Sequence, residues 1–196
     1  ETVPQTGVVT LDEDGQGSFT LANNGSYTLT VIAADNAGNT TSKTRLIKID
    51  KITPDLEISG NPRDYVTSAI LGLDPVLGPS GLKLLTVRKD GGAAKDITGS
   101  YDDGYKVSAS GKYVFTITAN NGLSSEHIAY VTKVDSLRPA VKLDSGTFVS
   151  GGWSSQPVTI QVSNTAGNLG TTRYEYAMSE PSSWQSFDGS LTVRED

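Results

Sequence analysis

Two stretches of this chain are copies of one another. Gly25-Ser26-Tyr27-Thr28-Leu29-Thr30-Val31 leads on to Lys48-Ile49-Asp50-Lys51-Ile52-Thr53-Pro54. The same pattern returns as Gly111-Lys112-Tyr113-Val114-Phe115-Thr116-Ile117, leading on to Lys133-Val134-Asp135-Ser136-Leu137-Arg138-Pro139. Tyr27 and Tyr113 stand 86 positions apart, whereas Asp50 and Asp135, like Pro54 and Pro139, stand 85 apart. A fixed period marks a repeated structural unit, and the one-residue difference is an indel in the hairpin between. A third, partial copy follows Pro139, with Trp153 matching Tyr65 and Leu191-Thr192-Val193 matching Tyr105-Lys106-Val107. At this period 196 residues hold about 2.3 units, laid out as a half, a whole and a half. The expected divisions are 1–53, the closing part of one unit; 54–136, a complete unit; and 137–196, the opening part of a third.

Each copy reads as β. Tyr27, Leu29, Val31 and Ala33, and again Tyr113, Phe115, Ile117 and Ala119, place apolar residues at every second position with threonine between many of them. Period-two alternation rich in Thr, Val and Tyr predicts half-buried antiparallel strands. Asn23-Asn24-Gly25, Asp35-Asn36-Ala37-Gly38-Asn39, Asp90-Gly91-Gly92, Asp102-Asp103-Gly104 and Asn120-Asn121-Gly122 separate them. These residue types tolerate the positive φ of tight turns. No window carries helical apolar spacing, so almost no helix is expected. An all-β unit of 80–90 residues with about seven short strands suits a sandwich of two sheets. Gly-x-Tyr at the head of a strand resembles the tyrosine corner of such sandwiches, giving Tyr27 and Tyr113 a structural role. Asp50 and Asp135 are each separated from a following proline by only three residues. Pro54 and Pro139 therefore predict short, stiff linkers that hold neighbouring units end to end.

Composition removes several functions. There are 22 Asp+Glu against 16 Lys+Arg, one histidine and no cysteine. The net charge of −6 disfavours nucleic acid and anionic membranes as partners, since both select basic surfaces. Without cysteine there is no disulfide, thiol catalysis or Cys-ligated zinc. No apolar run reaches the ~20 residues of a membrane span; the stretch Ala69–Leu77 is interrupted by Gly72, Asp74 and Pro75. No positively charged segment followed by an apolar run opens the sequence, so no signal peptide is expected within it.

The order of these features resembles bacterial Ig-like repeats of Gram-positive cell-surface proteins. Asp35-Asn36-Ala37-Gly38-Asn39-Thr40, a strand, and Lys48-Ile49-Asp50-Lys51-Ile52-Thr53-Pro54 are similar to the closing half of such a repeat. Gly81-Leu82-Lys83-Leu84-Leu85-Thr86-Val87-Arg88-Lys89-Asp90-Gly91-Gly92 resembles their middle strands. Gly151-Gly152-Trp153, Pro157-Val158-Thr159-Ile160-Gln161-Val162, Tyr174-Glu175-Tyr176 and Trp184-Gln185-Ser186-Phe187 resemble their opening half. The resemblance implies tandem immunoglobulin-like β-sandwiches, all-β, joined end to end by short linkers. It implies a secreted or cell-wall-attached bacterial protein, extracellular, in which the modules serve as stalk, spacer or adhesive face. Some related modules carry an intramolecular Lys–Asn or Lys–Asp isopeptide bond, for which Lys83 and Asn120 are candidates here.

Sites of chemistry are sparse. Gly78-Pro79-Ser80-Gly81 lacks the spacing of a nucleophile elbow, and neither a phosphate-binding nor a dinucleotide-binding glycine motif occurs. His127 is the only imidazole and reads as a strand-surface residue. Asp12-Glu13-Asp14-Gly15 and Asp102-Asp103-Gly104 are acidic loops; Asp12, Asp14, Asp102 and Asp103 are candidate calcium ligands, calcium taking 6–8 oxygens, although they also suit plain turns. No other cofactor is expected. Asn24-Gly25-Ser26 and Asn39-Thr40-Thr41 satisfy the glycosylation sequon but read as hairpin turns. Trp153, Tyr174, Tyr176 and Trp184 gather in the third unit as core residues or as a partner-binding surface. The expected function is a non-enzymatic spacer or adhesive module whose first partners are its neighbouring repeats. The alternatives are a receptor for a host surface or serum protein (an immunoglobulin or a matrix glycoprotein) or for a glycan, and accessory modules of a large extracellular glycoside hydrolase.

Overall fold

A computed structural model describes residues 9–146, 149–164, 169, 173–177, 184–187 and 190–193. Among them the regular structure is all strand apart from one 3-10 turn, Tyr101–Asp103. No described helix is long and apolar enough to cross a membrane.

The repeated tyrosine motif builds a hairpin twice. In the first, β1 (Gly25–Ala34) pairs antiparallel with β2 (Thr40–Ile49), Tyr27 opposite Ile47 and Leu29 opposite Arg45. Between the two copies lie β3 (Asp55–Ser59), β4 (Ala69–Val76), β5 (Leu82–Lys89), β6 (Lys95–Asp96) and β7 (Tyr105–Val107). The second hairpin is β8 (Gly111–Ala119) with β9 (Ser124–Val131). Strands β3 to β9 form two sheets, ordered β3-β4-β7 and β6-β5-β8-β9. Leu56, Leu71, Leu73 and Val107 from the first sheet meet Leu85, Val87, Tyr113, Phe115, Ile117 and Val131 from the second in one apolar core. Two antiparallel sheets closing on a shared core are the arrangement of a β-sandwich.

Alternation explains which face of β8 goes inward. Tyr113, Phe115, Ile117 and Ala119 are all buried, and Tyr105 stands edge-on to both the Tyr113 and Phe115 rings, at 6.1 and 5.8 Å. The Tyr113 hydroxyl donates to the Ala109 carbonyl at 2.7 Å, four residues upstream; in the first hairpin Tyr27 donates to the Asn23 carbonyl at 3.0 Å. Replacing Tyr113 with phenylalanine keeps the ring contacts and strands that carbonyl. A loss of about 1 kcal/mol is expected in urea unfolding followed by tryptophan-independent circular dichroism.

After Pro139 come β10 (Val141–Asp144), β11 (Val158–Asn164), β12 (Tyr174–Tyr176), β13 (Gln185–Phe187) and β14 (Ser190–Val193). Their pairings reproduce those of the central strands. The order β10-β11-β14 has Leu143 opposite Val162 and Ile160 opposite Leu191, where β3-β4-β7 has Ile58 opposite Leu73 and Leu71 opposite Tyr105. Leu191-Thr192-Val193 thus holds the place of Tyr105-Lys106-Val107. Strand β12 pairs with β13 as β5 pairs with β6, Tyr174 opposite Phe187.

Burial departs from the sequence pattern at both ends. Leu29 and Val31 carry the same alternation as Phe115 and Ile117, which predicts a buried face. Val31 is 51% exposed, however, and Leu29 is only half-buried. No second sheet lies over β1–β2 among the described residues. Val141 is 59% exposed where its counterpart Leu56 is 4% exposed. Pro54 is fully buried and Pro139 is exposed. Apolar alternation sets which face a strand offers; a neighbour must still cover it.

Candidate functional site

The groups most densely engaged outside the core lie where β2 gives way to β3. The Asp50 carboxylate grips in two directions: Oδ1 accepts the N–H of Ile52 at 3.0 Å, and Oδ2 accepts the N–H of Ser80 at 3.0 Å, thirty residues downstream in the β4–β5 loop. Gly78 of that loop is buried against the same carboxylate. A Cβ on Gly78 would lie 2.6 Å from Asp50 Oδ2, so only glycine lets the loop come this close. From the other side, Asn121 in the β8–β9 turn donates through Nδ2 to the Ile52 carbonyl at 2.9 Å and the Asp50 carbonyl at 3.3 Å. Asn24, in the turn before β1, accepts the Lys51 N–H through Oδ1 at 2.8 Å. A linker of three residues is thereby tied to the hairpin before it and to two loops after it.

The grip recurs one period on. Asp135 Oδ1 accepts the N–H of Leu137 at 2.9 Å, and Oδ2 accepts the N–H of Leu169, which follows β11 as Ser80 follows β4. The sequence places both aspartates in the linker but carries no signal for their acceptor role, which rests on Gly78 and Ser80, residues whose sequence context shows only that they lack the spacing of a nucleophile elbow.

The Asp50 carboxyl titrates below the ordinary aspartate value of 3.8. The Ser80 side chain beside it is the largest cause, partial desolvation opposes it, and the N–H groups of Ile52 and Ser80 add to it. The buried Ser80 hydroxyl makes no hydrogen bond of good geometry, so the backbone bond at 3.0 Å is the one that fixes the loop. Ionised Asp50 is favoured in the joined state. Its contribution is therefore complete above the ordinary 3.8 and is lost as pH falls through its own, lower value. In a pH titration by NMR, the Ser80 amide resonance should hold its position down to the ordinary carboxyl range and move only beneath it.

Beside this joint, His127 and Ser125 on β9 meet Asp55 at the start of β3. His127 Nε2 lies 2.9 Å from Ser125 Oγ and 3.3 Å from Asp55 Oδ1. The residue types are those of a hydrolytic triad, but the wiring differs. A triad puts the carboxylate on Nδ1 and the serine on Nε2; here both crowd onto Nε2. The Ser125 hydroxyl moreover donates to the Pro54 carbonyl at 2.6 Å, so its proton points away from the imidazole. The group ties β9 to the first residues of β3.

The other candidate residues fall in separate places. Asp12 Oδ1 accepts the N–H groups of Asp14 and Gln16 at 3.1 and 2.7 Å, closing a turn. Asp102 and Asp103 sit in the 3-10 turn ahead of Gly104. Among the described residues no three His, Cys, Asp or Glu side chains gather as a metal ion would need, and these four aspartates do not form one cluster. Lys83 is exposed at a bulge of β5, and the Asn120 amide donates to the Ser80 and Leu82 carbonyls at 2.9 and 3.1 Å. Tyr174 and Tyr176 pack edge-on against Phe187 at 6.3 and 6.2 Å, and the Tyr176 hydroxyl bonds Gln185 Oε1 at 2.7 Å. Trp184 is largely exposed. Trp153 is fully exposed and lines an open cleft of about 800 Å³ with Asp144, Gln156 and Gln161, away from that ring cluster.

Comparison with protein-family models, with curated proteins and with solved structures finds no match to the chain.

Proposed function

We propose that this chain is a non-enzymatic segment of tandem immunoglobulin-like β-sandwich repeats from a secreted or cell-wall-attached bacterial surface protein, and that it works as a stiff spacer. Its units are 1–53, 54–136 and 137–196. The observation that carries the reading is the two-oxygen grip of Asp50, repeated by Asp135. A carboxylate that bonds its own linker with one oxygen and the next unit with the other resists bending at the joint, and a spacer needs that resistance. Recurrence of strand order and register on both sides of Asp135 supports a common module. The anchoring of His127 and Ser125 to Asp55 and Pro54 supports a mechanical role for them. The surface acidity suits a soluble extracellular rod.

Gly78→Ala tests the joint. The new methyl group meets the end of a flexible side chain, so the central sandwich should lose no more than about 0.5 kcal/mol, while Asp50 is pushed off Ser80. In ¹⁵N relaxation, β1–β2 should tumble with the central strands in the wild type and faster than them in the variant. A wild type whose hairpin already tumbles independently would rule the spacer out. The second reading with an observation of its own is a receptor for a host protein or a glycan, favoured by the fully exposed Trp153 at its cleft. Retention of a serum protein or glycan that Trp153→Ala abolishes would replace the spacer with that receptor.

A further inference from the structure

Both Asn-Gly steps of this chain, Asn24-Gly25 and Asn121-Gly122, lie against the linker that Asp50 grips. Asparagine ahead of glycine is the pairing most open to deamidation, because glycine has no side chain to shield its nitrogen from the neighbouring carboxamide. The two steps use opposite ends of that carboxamide. Asn24 accepts: its Oδ1 takes the Lys51 N–H at 2.8 Å. Asn121 donates: its Nδ2 serves the Ile52 carbonyl at 2.9 Å and the Asp50 carbonyl at 3.3 Å. Deamidation removes donors and keeps acceptors, so the two sites have unequal consequences.

The geometry points to Asn121 as a modification site whose deamidation releases the joint and keeps it from closing again. The Gly122 nitrogen attacks Cγ of Asn121 and gives up its proton. As the N–Cγ bond forms, the Cγ–Nδ2 bond breaks and ammonia leaves with that proton. Water then opens the succinimide at either carbonyl, leaving aspartate or isoaspartate, and is the only co-reactant. This inference rests on the joint of the spacer reading and adds the way in which that joint is lost.

A closed joint holds the reaction back. The leaving Nδ2 is bonded to two linker carbonyls, Oδ1 accepts the Leu123 N–H at 2.9 Å, and the Gly122 N–H is bonded to the Ala119 carbonyl at 3.0 Å. The last two bonds belong to the β8–β9 turn and survive when the linker swings away. The first two depend on the linker, so opening the joint frees the leaving group, beside an exposed Gly122 that water reaches. Asn24 does not share this dependence. It sits just ahead of β1 and holds Lys51, two residues past β2, so its partner travels with it when the hairpin moves.

The products differ in the same way. Aspartate at 121 keeps the turn, since a carboxylate oxygen accepts the Leu123 N–H as the amide oxygen does. It also sets a negative oxygen against the two carbonyl oxygens that Nδ2 had satisfied. Isoaspartate lengthens the main chain by a methylene inside the tight turn. At 24 the product aspartate still accepts the Lys51 N–H, and more strongly as an anion. Asn120 makes the contrast within one turn. Its amide donates to the Ser80 and Leu82 carbonyls, but the next residue is asparagine, whose side chain shields the nitrogen.

The test incubates the full chain at mildly alkaline pH, as wild type and as Gly78→Ala, and follows isoaspartate at each site by peptide mapping. Asn121 should convert at least about fivefold faster in Gly78→Ala, the gain in open population that one lost hydrogen bond brings. Asn24 should convert at one rate in both chains. Equal Asn121 rates in the two chains overturn the proposal. An equal acceleration at Asn24 overturns it as well, marking a general loosening. In ¹⁵N relaxation of freshly prepared variants, β1–β2 should tumble faster than the central strands in Asn121→Asp and together with them in Asn24→Asp. A stiff Asn121→Asp chain overturns the proposal and leaves the spacer standing. A wild type whose hairpin already tumbles independently overturns the spacer and the proposal together, because no closed joint is then there to lose. Should Asn121→Asp fail to fold, the conversion rates in the other two chains still decide.

Discussion

Phe115→Ala should lower the stability of the central sandwich by about 3–5 kcal/mol, the range for emptying a large buried aromatic site. Phe115 is wholly buried in the middle of β8, between Tyr105 on the facing sheet and Val87 on the adjacent strand. The core draws residues from both sheets at this level, and backbone ladders on each side of β8 prevent a collapse that would refill the space. For a unit of this size the loss corresponds to a fall in melting temperature of about 15–30 °C. The same alteration at the repeat-equivalent Leu29 should cost less than about 1 kcal/mol in the single chain, because the half-buried Leu29 leaves little cavity behind. Calorimetry of both variants at low concentration decides the matter; equal losses would mean that β1–β2 has a covering sheet after all.

Gly104→Ala should cost about 2–4 kcal/mol, which is large for a single added methyl group. Gly104 closes the 3-10 turn with φ 76° and ψ 177°, its N–H bonding the Tyr101 carbonyl at 2.8 Å. That region of backbone space is open to glycine almost alone. A Cβ there would also stand 2.6 Å from Ile70 Cγ2 and 2.7 Å from the Leu71 carbonyl oxygen on β4. The second obstacle is backbone inside a sheet and cannot step aside. Gly91 is the control: its φ is 77° and its Cβ position is open, so Gly91→Ala should show a conformational cost of only about 1–2 kcal/mol. The difference between the two in urea unfolding isolates the collision with β4.

Much of this fold was legible because its signals are local. Alternation in Tyr113-x-Phe115-x-Ile117-x-Ala119 sets the inward face of β8, and Asn120-Asn121-Gly122 sets the turn after it, Gly122 taking φ 89°. The match of Leu191-Thr192-Val193 to Tyr105-Lys106-Val107 anticipated a pairing that the strand register then displayed. What alternation does not carry is the presence of the opposite layer. Leu29 and Phe115 obey one pattern, and only the second has a sheet above it. Burial belongs to the neighbours as much as to the residue.

The joint was half legible. Aspartate at a fixed distance before proline marked a stiff linker, since proline restricts its own and the preceding residue. The partner that makes Asp50 effective lies thirty residues away, and no periodicity links an aspartate to the backbone N–H of a distant serine. Asn121 has the chemistry of a turn former and acts as one: its Oδ1 accepts the Leu123 N–H at 2.9 Å. Its amide end meanwhile reaches the Ile52 carbonyl in the linker. His127 shows the reverse hazard. Serine, histidine and aspartate do converge at β9, and only the atoms they share reveal an anchor in place of a catalytic relay.

The most direct measurement of stiffness is of residual dipolar couplings from the amides of β1–β2 and β3–β9 in the unaltered chain at low concentration. If Asp50, Asn121 and Asn24 hold the linker as their bonds indicate, one alignment tensor will fit both groups of amides. Two tensors of different magnitude, with the smaller for β1–β2, would show a free hinge at Lys51–Thr53 and contradict the spacer.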